Sequence, residues 1–553
     1  MKKYFLFVII FCLHFKISAS EKMWIYFTDK DNSIQSIILD DKAIQRRLKL
    51  EFKDTWYDCP VAQSYIIAME ELGAVIHHKS RWLNAVSVTA SEGVLNEISA
   101  LPFVKNIEPV ALYKKNKFEF SHLLSSRRIS VIDSLDYGYA QEQIEQINCH
   151  SAHQAGYTGQ GVRILILDTG FNTERSVFDS LTIIDEWDFI NNDGNTANEA
   201  NDYSSQHNHG TMIFSTLAGY DPGNLIGPAF GSEFLLAKTE DVPNESQIEE
   251  DNFVAALEWG EQNGADIMSS SLGYLDWYSY CDMDGNTGVT TIAVDIATSL
   301  GMLCVTSAGN WGTDEPPPNP CDTLYYYISA PADADSVISV GAVNNAGDLA
   351  YFSSHGPTYD GRIKPEVCAR GVSTWCVDAN SDSYRTASGT SISAPLVSGS
   401  AAVILSAHPD WTPMEVREAM MMTADNADSP DNDYGYGVID VMAAIEYELS
   451  NKDENNVPNE FSIMNVFPNP FNPTTTIRFS VEARPRNNRD RRHASLLQVF
   501  DITGRLVETI VNDKLLPGEY AYTWNAFGLS SGIYYVKLKT PISSITQKIT
   551  YLK

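Results

Sequence analysis

Short apolar runs separated by amphipathic stretches dominate the chain between residues 137 and 450. These runs are VRILILD (162–168), EFLLAK (233–238), ADIMSSSLG (265–273), MLCVTSAGN (302–310) and SVISVGAV (336–343). Runs of this length that are apolar on both faces are typical of strands in a parallel sheet, whereas 246–264 has helical spacing. The alternation predicts an α/β domain over 137–450, built on a mainly parallel sheet flanked by helices.

The regions on either side of this domain have different patterns. Residues 21–113 alternate β-rich runs with helix-like stretches, which predicts a small α/β domain. Together with the poorly patterned stretch that follows, we assign it to 21–136. A polar linker, 451–462, precedes short alternating strands with turn residues over 463–553, and these predict a β-sandwich.

The first 20 residues have the layout of a signal peptide. Two lysines precede an apolar run that ends at Phe15, and small residues follow up to Ser20. The alternative is a membrane anchor, but an apolar run of about 12 residues is too short for a hydrocarbon core of ~30 Å. We therefore assign 1–20 as a signal peptide and expect a secreted or cell-surface protein.

The charge of the chain excludes one class of partner. The 553 residues include 39 basic and 71 acidic side chains, for a net charge of −32. A protein of this charge repels phosphate backbones, so we expect no nucleic-acid partner.

Export permits disulfides among the cysteines that follow the N-terminal domain. The pairs favoured by loop-like sequence are Cys281 with Cys321 and Cys368 with Cys376, among 15 connectivities of six cysteines. Cys304 lies in the apolar run MLCV and is predicted to be a buried free thiol.

Three polar residues stand at positions suited to chemistry. Asp168 ends the first apolar run in ILDTG, His209 lies in HNHGTM, and Ser391 lies in SGTSISAP at the start of an apolar helical stretch. Carboxyl ends of parallel strands and helix N-termini both favour functional groups. Each residue alone also has an ordinary structural explanation: a turn aspartate, a surface histidine and an N-cap serine.

Taken together, the motifs DTG, HGT and GTSxxAP in this order resemble the signatures of subtilisin-like serine peptidases (subtilases). The resemblance covers roughly 150–447 and implies a catalytic triad of Asp168, His209 and Ser391. It also implies that Asn310, in SAGN, lines the oxyanion hole. Ser271, Leu272 and Gly273 resemble the strand that binds an extended substrate peptide.

The function implied is that of a secreted serine endopeptidase, which hydrolyses peptide bonds through an acyl-enzyme on Ser391 and needs no cofactor for its chemistry. Its partners would be protein or peptide substrates. The alternative is a catalytically silent, exported surface-binding protein on the same scaffold, although the set of site residues is intact.

A structural calcium ion is a further hypothesis. Asp282, Asp284 and Asn286 alternate like the first ligands of a calcium loop, but no glutamate follows at the twelfth position. Residues 191–195 with Asp202 form a second acidic loop. Solvated turns explain both segments equally well.

The flanking domains carry resemblances of their own. Residues 79–110 resemble the inhibitor-type propeptide of subtilases, which implies a zymogen that its own propeptide blocks until it is cut between 114 and 137, with Arg127-Arg128 as one candidate position. A permanent N-terminal domain is the alternative.

Residues 465–553 resemble the sorting domains of type IX secretion substrates, which implies contact with secretion machinery and passage across an outer membrane. A sugar- or surface-binding module is the alternative there.

Overall fold

The structure is a computed structural model of the chain. It describes residues 21–30, 37–50, 56–110, 119–121, 135–242, 249–274, 278–313, 321, 326–449, 462–467, 469, 471, 474–481, 493–515, 518–526, 529–539 and 544–551. The predicted signal peptide, the Arg127-Arg128 pair and most of the predicted linker lie outside these residues. The chain forms two compact units, Met1–Tyr447 and Glu448–Lys553.

The N-terminal domain is a small α/β fold, as predicted. Its elements are β1 (Glu21–Phe27), α1 (Asp41–Lys49), α2 (Gln63–Glu71), β2 (Val75–Ser80), β3 (Ala85–Ala90), α3 (Glu92–Ser99) and β4 (Val104–Pro109). The four strands form an antiparallel sheet in the order β2-β3-β1-β4. Ile25 and Val86 on the sheet pack with Met69 and Ile98 of the helices in one buried cluster.

The middle of the chain contains most of the helices. In chain order the elements are β5 (Glu119–Ser121), α4 (Gln141–Gln146), α5 (Cys149–Gln154), β6 (Arg163–Asp168), β7 (Thr182–Asp188), α6 (Asn208–Ala218), β8 (Tyr220–Asp221), β9 (Leu225–Ile226), β10 (Glu233–Lys238), α7 (Glu249–Gln262), β11 (Ile267–Ser270), α8 (Val289–Ser299), β12 (Leu303–Ser307), β13 (Ile338–Val343), β14 (Val367–Arg370), β15 (Thr374–Val377), β16 (Tyr384–Ser388), α9 (Thr390–Ala407), α10 (Pro413–Met422) and α11 (Val441–Glu446).

A seven-stranded parallel sheet organises this region, in the order β14-β13-β12-β11-β6-β10-β7. Each of the five predicted strands lies in it. Sequence reasoning missed β7 and β14, because the edge strand β7 (TIIDEWD) is polar and partly exposed and β14 has only four residues. The predicted α/β class is confirmed.

The central strand β6 shows why these runs are apolar throughout. Ile164 and Ile166 belong to the hydrophobic cluster on one face of the sheet, and Leu165 and Leu167 belong to the cluster on the other face. Successive side chains of a strand point to opposite faces, so a sheet covered on both sides requires apolar residues at every position.

Helix α9 packs across one face of the sheet, against β11, β12, β13 and β14. Its 18 residues are long and apolar enough to cross a membrane, but 89% of that stretch is buried inside the protein. The apolar composition of α9 is therefore that of a core helix.

A buried charge cluster joins the N-terminal domain to helix α7. The Glu261 carboxylate accepts hydrogen bonds from Arg46 (Nη2–Oε1, 2.6 Å), Arg47 (Nε–Oε1, 2.9 Å) and Arg81 (Nη2–Oε2, 3.0 Å). Burial favours the neutral acid, yet the three guanidinium groups outweigh it and hold the pKa of Glu261 below its usual value. Glu258, also on α7, accepts a hydrogen bond from the Ser80 hydroxyl at 2.6 Å.

Apolar contacts extend the same interface. Trp24 and Trp82 of the N-terminal domain are buried in one cluster with Phe253 and Leu257 of α7. The N-terminal domain therefore shares a hydrophobic core with the parallel-sheet domain.

The C-terminal unit is built of antiparallel strands. They are β17 (Ser462–Phe467), β18 (Thr474–Val481), β19 (His493–Asp501), β20 (Leu506–Leu515), β21 (Gly518–Asn525), β22 (Gly532–Lys539) and β23 (Ser544–Tyr551). They form two sheets, β17-β18-β21 and β20-β19-β22-β23, and residues of both contribute to one core that includes Phe479, Trp524 and Val536. This is the predicted sandwich architecture.

The cysteines agree in part with the predictions. Cys281 and Cys321 form a disulfide, and Cys304 is a buried free thiol, both as predicted. The predicted pair of Cys368 and Cys376 is wrong, because both are buried free thiols. Cys368 lies on β14 of the seven-stranded sheet, whereas Cys376 lies on β15 of a separate three-stranded sheet.

Replacing Glu261 with alanine should lower the free energy of unfolding of the uncleaved chain. The substitution leaves buried guanidinium groups without their shared carboxylate, and removing one partner of a buried ion pair costs about 3–5 kcal/mol. Chemical denaturation of the uncleaved chain measures the loss. Glu97→Ala, at an exposed position of α3, is the matched control and should change stability by less than about 0.5 kcal/mol. Equal stability of the two variants would show that the cluster contributes nothing.

Candidate active site

Asp168 and His209 form a buried pair at the carboxyl end of β6. The Asp168 side chain is fully buried, and its Oδ1 accepts hydrogen bonds from His209 Nδ1 at 2.6 Å and from the Thr169 N–H at 2.7 Å. His209 is the second residue of α6. Since Nδ1 faces the carboxylate, the geometry favours the tautomer that carries its proton on Nδ1 and leaves Nε2 basic.

The glycine that follows His209 allows this approach. A Cβ at Gly210 would lie 2.2 Å from the carbonyl oxygen of Gly170 and 3.0 Å from Cβ of Asp168. No larger residue fits where α6 meets the turn after β6. Packing therefore requires the glycine of the HGT motif.

Ser391 lies at the start of the core helix. It is the second residue of α9 and is 5% exposed, and Gly389 precedes the helix. The Ser271 hydroxyl donates to the carbonyl of Ser391 at 2.8 Å. N–H groups in the first turn of a helix have no intrahelical acceptor, so this position favours negative charge nearby.

Asn310 is anchored to the same helix start. Its Oδ1 accepts from the Thr390 N–H at 2.8 Å and from the Thr390 hydroxyl at 3.0 Å. With the amide oxygen fixed in this way, the Nδ2 donor points in the other direction.

The order of the strands brings these residues together. β12, β11 and β6 are neighbours in the sheet. Asp168 is the last residue of β6, and Ser271 and Asn310 follow the carboxyl ends of β11 and β12. Helix α9, which carries Ser391, packs on β11, β12 and α6. Residues far apart in the sequence thus meet at one edge of the sheet, where open α/β sheets place their sites.

The segment 271–273 is held firmly next to Ser391. Ser271 and Leu272 are buried, and a Cβ at Gly273 would lie 2.4 Å from the Ser329 hydroxyl. The Tyr274 N–H donates to the Ala330 carbonyl at 2.9 Å. Pairing of this segment with a substrate peptide stays a prediction.

The residues of the calcium hypothesis form ordinary turns. The Asp282 carboxylate accepts from the Ser279 N–H at 2.7 Å, and the Asp284 carboxylate accepts from the N–H groups of Asn286 and Thr287 at 2.8 and 2.9 Å. These bonds account for the acidic residues at this turn. Calcium there stays a prediction.

Lys238 is a buried residue that sequence reasoning missed. Its Nζ lies 2.7 Å from the Asp188 carboxylate and 2.7 Å from the Asp202 carboxylate, and the Lys238 side chain is fully buried. Burial opposes its charge, but the two carboxylates outweigh this effect and raise the pKa of the ammonium. A lysine at the end of the buried run EFLLAK was the available signal, since such a charge needs partners.

Lys238 stands beside the candidate site. It pairs with Asp168 in the register of β10 and β6, and the Thr239 N–H donates to the Asp168 carbonyl at 2.9 Å. Asp202, which pairs with Lys238, lies in the loop between β7 and α6. At the end of this loop the His207 N–H donates to Asn198 Oδ1 at 2.8 Å. The ammonium therefore ties the loop before His209 to the strand beside Asp168.

Asp188, at the end of β7, forms an acidic group with Asp193 and Glu199 of the same loop, and their carboxylate oxygens lie within 4.8 Å of one another. Lys238 already supplies a positive charge to Asp188, the buried member. Asp188 also accepts from the N–H groups of Ile190 and Asn191 at 2.7 and 3.0 Å.

A parallel α/β sheet with an Asp–His pair and a serine at a helix start defines the class of triad hydrolases. Comparison with known families then assigns the chain. Residues 159–437 match the Subtilase family, and the chain belongs to that family. Residues 22–122 match the Peptidase S8 propeptide domain of Bacteroidota, and 465–551 match a Secretion system C-terminal sorting domain.

Individual relatives agree with this assignment. Subtilisin E of Bacillus subtilis (strain 168) is 27% identical over 439 residues, which cover 77% of this chain and 100% of that protein. Subtilisin of Bacillus pumilus is 32% identical over 314 residues, covering 57% and 99% of the two chains. The protein is thus a subtilisin-like serine endopeptidase with a propeptide, and its sorting domain indicates secretion to the cell surface or beyond.

Replacing Lys238 with methionine should destabilise the catalytic domain. Asp188 is fully buried, and leaving it unpaired costs about 3–5 kcal/mol. Thermal and chemical denaturation measure this loss, and turnover should fall with it because the loop leads to His209.

The double variant Lys238→Met with Asp188→Asn is the matched control. It leaves no unpaired charge at the fully buried position 188 and should recover part of the lost stability. A single variant as stable as the natural chain would contradict the anchoring role.

Proposed function

We propose that the protein hydrolyses peptide bonds through an acyl-enzyme on Ser391. The observation that carries this proposal is the 2.6 Å bond between Asp168 and His209 at the sheet edge that also holds Ser391 and Asn310. Ser391 Oγ attacks the carbonyl carbon of the substrate while His209 takes its proton. His209 then gives that proton to the leaving amine, and water hydrolyses the ester.

In this mechanism Asp168 is a positioning residue. It holds the imidazole of His209 with Nδ1 protonated and stabilises the imidazolium that forms during the attack. Its burial and its two accepted hydrogen bonds support this role, because both keep the carboxylate in one orientation.

The oxyanion of the tetrahedral intermediate would lie between two donors. These are Nδ2 of Asn310 and the backbone N–H of Ser391. The fixed orientation of the Asn310 amide supports the first, and the place of Ser391 in the first turn of α9 supports the second.

Substrates are proteins or peptides that bind in extended form. The backbone of Ser271, Leu272 and Gly273 would pair with the residues that precede the cleaved bond. The firm support of this segment by Ser329 and Ala330 suits such a role, since a rigid strand template lowers the cost of ordering the peptide.

The flanking domains would control when and where the activity appears. The propeptide, bound to α7 by buried charges and two tryptophans, would keep the enzyme inactive until it is cut away. The C-terminal domain would direct the chain across an outer membrane by type IX secretion machinery.

Treatment with a fluorophosphonate tests the nucleophile. Purified protein freed of its propeptide should gain the mass of one adduct, and Ser391→Ala should gain none while remaining folded. Absence of an adduct on folded, mature protein would contradict the proposal and favour the silent surface-binding alternative.

Replacing Asn310 with alanine tests the oxyanion donor. Loss of one such donor lowers kcat by about 10²–10³, a magnitude known from subtilisin itself. The KM for a peptide substrate should change little, because the donor acts on the transition state. Unchanged turnover in a correctly folded variant would exclude this role.

A further inference from the structure

Arg46 of helix α1 inserts its guanidinium group between the ends of two helices of the catalytic domain. The group donates to the carbonyls of Leu300 (Nε–O, 3.2 Å) and Glu261 (Nη2–O, 3.3 Å) and, through Nη1, to the carbonyl of Ala265. The Glu261 carboxylate accepts from Nη2 as well, at 2.6 Å. Each of these four oxygen atoms belongs to the catalytic domain, and we call the set the arginine socket.

The position of the socket favours a positive charge. Glu261 lies in the last turn of α7, and Leu300 directly follows the last residue of α8. The carbonyl groups at a helix C-terminus form the negative end of the helix dipole, and the Glu261 carboxylate adds a full negative charge. A guanidinium group suits several acceptors in one plane because it presents five N–H donors in a rigid fork.

The socket is also shaped for the stem of an arginine. Gly301 has a φ of 96°, and a Cβ at this position would lie 2.9 Å from Cγ of Arg46. Glu261, Ala265 and Leu300 are all 0% exposed, and Arg46 is 3% exposed. A glycine thus leaves room for the aliphatic part of the side chain while the head group is enclosed.

The socket lies at the opposite edge of the sheet from the candidate active site. Ala265 and Leu300 precede β11 and β12, whereas Ser271 and Asn310 follow the carboxyl ends of the same two strands. At a rise of about 3.3 Å per residue, Ala265 and Ser271 are separated by roughly 20 Å. The socket is therefore a site distinct from the one that contains Ser391.

The N-terminal domain shows that one polypeptide can reach both places. Its Arg46 fills the socket, and its Val110 belongs to the same hydrophobic cluster as Leu272 of the segment expected to bind substrate. A long chain that binds at Leu272 is thus able to extend to the socket.

We propose that release of the N-terminal domain opens the arginine socket and that the mature enzyme uses it to bind an arginine side chain of its protein substrates. The Glu261 carboxylate loses Arg46, Arg47 and Arg81 together, since all three belong to the N-terminal domain. The four acceptors stay on the enzyme, and charge-assisted hydrogen bonds favour their binding to another guanidinium group. This inference rests on the proposed function and adds a second binding site to it.

Chemical rescue tests the socket in the full-length chain. In a Ser391→Ala background, which keeps the chain uncleaved, Arg46→Ala should lower the Tm, and about 10 mM ethylguanidinium should restore roughly 2 °C of the loss. Ethylammonium has the same charge without the planar fork and should restore less than half as much. Gln45→Ala, at an exposed position of α1, is the matched control and should respond to neither cation. Equal rescue by the two cations, or rescue by neither, would overturn the inference.

Peptide binding tests the opened socket and does not depend on the folding of an Arg46 variant. The natural chain is allowed to mature, its active site is blocked with a fluorophosphonate, and binding of fluorescent hexa-arginine is followed by anisotropy. We expect hexa-arginine to bind at least about tenfold more tightly than hexa-lysine. The uncleaved Ser391→Ala chain, in which Arg46 fills the socket, should bind hexa-arginine at least about tenfold more weakly than the mature enzyme does. Equal affinity for the two peptides, or equal binding by the uncleaved chain, would show only attraction to an acidic surface and would overturn the inference.

Competition tests the role in substrate binding. Hexa-arginine should raise the KM for an unfolded, arginine-containing protein, reduced and carboxymethylated lysozyme, at least about twofold. The KM for an arginine-free tetrapeptide should not change, because four extended residues span at most about 14 Å and do not reach the socket. A raised KM for both substrates would place hexa-arginine in the active site, and an unchanged KM for both would exclude the role in substrate binding.

Fluorophosphonate labelling separates this inference from the proposed function. A folded, mature protein that takes up no label rejects the proposed function, whereas a labelled protein without preference for arginine rejects only the socket. A labelled protein that keeps its N-terminal domain bound would also overturn the inference, because Arg46 would never leave the socket.

Discussion

The parallel pairing of β6 with β10 on one side and β11 on the other is the constraint on which the site depends. It aligns the carboxyl ends of these strands, so that Asp168 lies in register with Lys238 and next to the segment that contacts Ser391. Because every strand of the sheet points the same way, the turns that follow the carboxyl ends of these strands meet at one edge. Both faces of this sheet are buried, which requires apolar strands.

Two buried clusters of charged residues are attached to this framework. Lys238 sits between Asp188 and Asp202 and ties the loop before His209 to the sheet. Three arginines of the N-terminal domain donate hydrogen bonds to Glu261 on α7 and hold that domain against the catalytic domain. Both arrangements satisfy charges that would be costly alone, so their value lies in geometry more than in net stabilisation.

The N-terminal region contacts the catalytic domain at two places. The charge cluster and the tryptophans hold the propeptide on α7, and β5 holds the chain beyond it on β16.

The sequence by itself determined five of the seven strands of the parallel sheet, because a strand covered on both faces must be apolar at each position, as β6 shows. It also determined the candidate site, since Asp168, His209 and Ser391 stand in short local motifs. Only the tertiary structure decided the partners of Lys238, the polar edge strand β7, and the separation of Cys368 from Cys376. Local sequence patterns indicate whether a residue is buried, but they do not indicate which distant residue it contacts. Those contacts depend on the order of the strands in the sheet.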